Sequence, residues 1–164
     1  MTTWSTVSVT STVWKPNFLK LLLDMIPLNV KTKSPLPVYT WKEVYKKAEE
    51  SLRHTDYDNP HEYTDFEIFR VEDTNWKGDK FVDFHVGYKV DGYWTWTNFP
   101  QFHYYNGEYM FVYMDDDRYR MMEICEKAGI PFGKRYRNLD HALNDYITIV
   151  KTDRERQNAL LSRK

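Results

Sequence analysis

At 164 residues, with 23 basic and 24 acidic side chains and a formal net charge of -1, the chain is of single-domain size and lacks the bulk positive charge needed to coat nucleic acid. Its single cysteine, Cys125, excludes an internal disulfide and a thiolate zinc site, and no cofactor motif takes its place. The hydrophobic and charged shares, 41% and 29%, are those of a globular protein, but the aromatic share is high at 17%, which supplies amphipathic area for cores and recognition surfaces.

No basic-plus-apolar leader pattern opens the chain. The longest apolar cluster, residues 18–27, contains Lys20 and Asp24 and is too short to span a bilayer, so a cytoplasmic location without membrane contact is expected. Alanine is scarce (Ala48, Ala128, Ala142 and Ala159) against abundant Tyr, Asp, Lys and Asn, a usage typical of AT-rich genomes, among them those of some bacteriophages.

The whole of 1–164 reads as one domain. Residues 1–39 form an N-terminal arm, a short helix and a linker. Residues 3–14 nearly alternate, as a strand or extended arm would. Pro16 suits a helix start, with Phe18, Leu19, Leu22, Leu23 and Ile26 as its apolar face. Pro27, Pro35 and Pro37 then predict an extended linker.

A helix is predicted over 40–53. Thr40 and Glu43 have the spacing of a capping box, and Trp41, Val44, Tyr45, Ala48 and Leu52 recur on one face. A polar loop around Asp58, Asn59 and Pro60 follows.

Residues 63–114 predict a four-stranded antiparallel β-meander. Asp91-Gly92 and Asn106-Gly107 supply the positive φ angles that two-residue hairpin turns require. Centring the second hairpin on Asp91-Gly92 sets Val90 opposite Tyr93, Tyr88 opposite Thr95, Val86 opposite Thr97 and Phe84 opposite Phe99. On the other face Lys89 meets Trp94, Gly87 meets Trp96 and His85 meets Asn98. Pro100 removes a ladder donor and marks a bend, bulge or edge, and the last hairpin pairs Phe102 with Phe111 and Tyr104 with Tyr109. Helices follow over 117–128, opened by Asp115, Asp116 and Asp117 as capping acids and stopped at Gly129-Ile130-Pro131, and over 139–160, whose polar end is expected to fray. The fold class is therefore α+β, with N- and C-terminal helices on one face of the meander.

That arrangement leaves a reverse sheet face carrying Phe81, Asp83, His85, Lys89, Trp94 and Trp96. It is either an aromatic contact surface or a face buried by the N-terminal arm and linker. Lys89 over Trp94 is a candidate cation–π pair, and Trp96 is placed to cover Gly87. Trp76, in a polar loop beside Lys77-Gly78, is a further exposed ring.

Lys134, Arg135 and Arg137 precede a helix start and form a candidate anion or nucleic-acid contact, without P-loop spacing. The plain alternative is a solvated basic loop. Asp83, His85 and His103 are candidate acid–base groups, but no metal-ligand spacing is present and no metal site is expected. Cys125 on an apolar helix face reads as a small hydrophobe.

These features predict a small non-catalytic binding protein acting through protein–protein contact at Trp94, Trp96, Lys89, His85 and Trp76, with no cofactor and a partner whose identity the chain does not disclose. Size and residue usage narrow this to a phage-type accessory inhibitor of a host machine. If the two indoles are a free surface, removing both abolishes partner capture and leaves thermal unfolding nearly unchanged. The alternatives are a nucleic-acid-binding module using sheet aromatics and the basic loop, and a small acid–base enzyme using Asp83, His85 and His103.

Overall fold

The computed structural model describes residues 26–56 and 58–163. The expected arm over residues 3–14 and most of the helix begun at Pro16 lie outside the described residues. Ile26 is described: it is buried and bridges to Val82.

The elements in chain order are β1 (Val38–Tyr39), α1 (Trp41–His54), β2 (Tyr63–Thr74), β3 (Lys80–Val90), β4 (Tyr93–Thr97), β5 (Gln101–Tyr105), β6 (Glu108–Val112), α2 (Arg118–Ala128) and α3 (Leu139–Leu161). The class is α+β, but the sheet is not one antiparallel meander. A four-stranded sheet of order β1-β2-β3-β4 is followed by a separate two-stranded sheet, β5-β6.

Two local features cause the departure. The end of the Pro-containing linker becomes β1, which runs parallel to β2, with the Arg70 amide donating to the Pro37 carbonyl at 2.8 Å. It spans only two residues, since Pro35 and Pro37 bring no N–H to a ladder. At the other side β4 ends at Thr97, and the chain leaves the sheet through Asn98 and a cis Phe99–Pro100 bond. The pairings Phe84–Phe99 and His85–Asn98 therefore do not form.

The remaining register follows the turn chemistry. Asp91 and Gly92 have φ of 50° and 88°, and Asn106 and Gly107 have 50° and 81°, as a type I′ turn requires. Val86, Gly87, Tyr88, Lys89 and Val90 pair with Thr97, Trp96, Thr95, Trp94 and Tyr93, and Phe102 and Tyr104 pair with Phe111 and Tyr109. A bulge between Thr64 and Glu67, with Asp65 at φ 55°, resets β2 against β3.

Helices cover both faces of the sheet, not one. On the first face α3 lays Leu139, Leu143, Tyr146 and Val150 against Val82, Phe84, Val86 and Tyr88. Phe102 stacks on Tyr146 at 5.6 Å between ring centres. On the second face Val44 of α1 packs with Phe69 and Val71 of β2, flanked by Trp41, Phe81, Trp94 and Trp96. Both sheet faces are apolar, so one helical layer cannot satisfy them.

The capping box at Thr40 forms as expected: Thr40 Oγ1 accepts the Glu43 amide at 3.3 Å, and the Thr40 amide donates to Glu43 at 2.7 Å. Asp115–Asp117, in contrast, form a single 3₁₀ turn that makes no side-chain cap bond. The helix α3 is continuous to Leu161. Several of its polar residues have partners: Asp153 is buried against Arg120 and Arg154, Arg156 meets Glu123 at 2.7 Å, and Asn158 bonds both backbone groups of His61.

Candidate functional site

The aromatic residues of the second sheet face form a seam between α1 and β4. Trp41 lies 5.0 Å from His85 and 5.1 Å from Trp96 between ring centres, and Trp96 meets the edge of Tyr45 at 6.3 Å. Trp94 and Trp96 are half-buried; among the described residues α1 and Tyr39, at the end of the linker, pack against them, and the expected arm lies outside the described residues. Lys89 pairs with Asp65 at 3.1 Å and does not reach Trp94. The cation over the Trp94 ring is Lys47, at 5.0 Å, which also lies over Tyr39. Trp94, not Trp96, covers Gly87. A Cβ added there would stand 2.8 Å from Trp94 Cζ2, with the indole backed by Phe69 and Tyr39. Gly87→Ala is expected to cost about 1–3 kcal/mol through this overpacking, measurable by denaturant unfolding.

Helical periodicity misassigned part of α1. Val44 and Ala48 point inward as expected, and Ser51 takes the next buried position. Tyr45 and Leu52 instead stand on the outer flank, 58% and 69% exposed. Beside them Tyr93 is exposed and stacks on His54 at 4.7 Å. These residues form a rim above β4, the last strand of its sheet. In a two-residue hairpin Tyr93, Thr95 and Thr97 bond to β3, so the backbone N–H and C=O of Trp94 and Trp96 face outward. Among the described residues none hydrogen-bonds to these groups.

Trp76 is a separate feature. It lies in the β2–β3 loop, at the opposite end of β3 from the Asp91–Gly92 turn, 90% exposed with Lys77 over its ring at 5.0 Å.

A cavity of about 270 Å³ opens at the end of the aromatic seam. It brings together the three acid–base candidates: Asp83, His85 and His103 all line it, with Asn98 and Gln101, between walls that include Trp41, Phe81, Phe102 and Tyr104. Asp83 and His85 are adjacent: His85 Nε2 lies 2.9 Å from Asp83 Oδ2, while Asp83 Oδ1 accepts the Phe84 amide at 3.0 Å. His103 Nε2 lies 3.1 Å from Gln101 Oε1.

The dyad is inverted relative to an acid–base histidine. His85 is buried, and its Nδ1 is sealed from solvent without a hydrogen-bond partner among the described residues. This places the ring proton on Nε2, donated to the Asp83 carboxylate. A base must reach the proton it takes, and here the carboxylate is the more exposed member, its side chain 33% accessible against 7% for His85. The buried Tyr146 hydroxyl also has no partner among the described residues, and it is held far above its ordinary range, by burial first and by the negative charge of Asp83 second.

The basic loop does not present three free cations. Lys134 lies 3.2 Å from Asp145, and Arg135 and Arg137 lie 3.6 and 3.9 Å from Glu108. Tyr136 between them is buried, and its hydroxyl donates to Asp145 at 2.5 Å. Burial, then this hydrogen bond, raises its ionisation far above the usual range. Cys125 is buried, and burial raises its thiol.

Among the described residues no group of three His, Cys, Asp or Glu side chains is placed to hold a metal ion, and no helix is long and apolar enough to cross a membrane. Compared with known proteins, the chain matches no family model, no curated protein and no solved structure.

Proposed function

We propose that this chain is a non-catalytic binding protein that receives an extended segment of a protein partner along β4. The supporting observation is the outer edge of that strand, where the backbone groups of Trp94 and Trp96 point away from the sheet with no described residue bonded to them. Such an edge adds a strand readily unless it is blunted. β4 contains neither lysine nor proline. The exposed side chains of Tyr45, Leu52 and Tyr93 flank it and supply apolar contact for a partner's side chains. The half-buried indoles act from beneath, as the floor of the rim. The narrower reading, an accessory inhibitor of a host machine, rests on size and residue usage, and the identity of a captured partner addresses it.

The test is affinity capture from a lysate followed by mass spectrometry, with the wild type, Tyr45→Lys and Trp76→Ala. Tyr45 is exposed, so Tyr45→Lys is expected to change stability by no more than about 0.5 kcal/mol. The expected result is one partner held by the wild type and by Trp76→Ala and lost from Tyr45→Lys. Loss from Trp76→Ala alone would move the contact to the β2–β3 loop. Self-association in gel filtration that Tyr45→Lys abolishes would make the partner a second copy of the chain.

A further inference from the structure

We infer that the cavity at the end of the aromatic seam binds a small organic cation, with the Asp83 carboxylate as its counter-charge and aromatic rings as its walls. This goes beyond the edge-strand reading and does not depend on it.

The charge pattern carries the inference. Among the described lining residues Asp83 is the one carboxylate, and no lysine or arginine joins it. Its side-chain hydrogen-bond partner among the described residues is the His85 imidazole, which approaches from the buried side. One lone pair on each carboxylate oxygen is taken, by His85 Nε2 and by the Phe84 amide. A carboxylate oxygen accepts more than one donor, so Asp83 keeps capacity on its accessible side. The two bonds also hold it in one orientation, which reduces the ordering a ligand must impose.

The walls suit the same charge. Trp41, Phe81, Phe102 and Tyr104 line the cavity. Aromatic faces attract cations through their quadrupole, most strongly where water is excluded. An anion would meet the Asp83 carboxylate, with no lysine or arginine among the described lining residues to offset it. A metal ion would find too few ligands among the described residues. The volume, about 270 Å³, admits an aryl- or alkylammonium of a few carbons.

Benzylammonium and its neutral isostere benzyl alcohol are the probes. Each is titrated into the intact chain while the Trp41 indole and His85 ring resonances are followed by NMR, with Asp83→Asn in parallel. The expected result is saturable binding of benzylammonium at least about tenfold tighter than that of benzyl alcohol. Asp83→Asn should erase the difference between the two probes. Equal affinity of the wild type for both probes, or no saturable shift by benzylammonium at tens of millimolar, would overturn the assignment. The wild-type comparison stands even if Asp83→Asn unfolds. Loss of protein capture in Tyr45→Lys with benzylammonium binding intact would separate this site from the edge-strand reading.

Discussion

Asp153→Asn is expected to destabilise the protein by about 3 kcal/mol, lowering the melting temperature by roughly 6–12 °C. Asp153 is 1% exposed in the middle of α3, where two arginines converge on it. Arg120 of α2 reaches it through two bonds, 3.0 Å to Oδ1 and 2.6 Å to Oδ2, and Arg154 adds a third at 2.6 Å. The Arg120 guanidinium also lies 3.8 Å over the Phe99 ring, so one residue ties α3 to α2 and to the segment that follows β4. Removing the carboxylate charge leaves two guanidinium groups facing each other in a poorly hydrated site, which costs more than the lost bonds alone.

The same residue predicts a pH dependence. Burial by itself would raise the Asp153 carboxyl. The hydrogen bond from Arg120, then the charges of Arg154 and Arg120, outweigh burial and hold it below its ordinary value of 3.8. A carboxyl with a depressed folded-state pKa binds protons more readily when unfolded. Its stabilisation is therefore complete above about pH 4 and is lost as pH falls through the folded value. Wild type and Asp153→Asn should differ most above pH 4 and converge in stronger acid, as followed by thermal unfolding across pH. A constant gap would show that the carboxylate charge is not what stabilises the site.

Trp94→Ala is expected to cost about 2–4 kcal/mol, contrary to the expectation that the indoles can be removed without touching stability. The ring covers Gly87, packs 5.6 Å from Phe69 between ring centres, supports Lys47, and sends Nε1 toward Glu67 Oε1 at 3.4 Å. Its removal exposes the bare backbone of β3 and opens the layer between α1 and the sheet. A pull-down with this variant would confuse unfolding with loss of contact, which is why Tyr45→Lys is the variant suited to testing the edge. Urea unfolding decides the matter: a midpoint unchanged from wild type would place Trp94 at the surface after all.

Local chemistry in the chain was enough to determine the register beside both Asx-Gly turns (as far as Val86–Thr97 in the first), the Thr40 capping box and the stop at Gly129. Each depends on φ preferences, side-chain alternation or hydrogen bonds within a few residues. Tertiary structure alone decided that α1 and α3 take opposite faces, that the linker's end adds a parallel strand, and that Tyr45 and Leu52 face outward. Trp41, Asp83, His85 and Gln101 meet at one cavity for the same reason: distant elements compete for the same apolar surface, and periodicity within one element cannot show which neighbour wins.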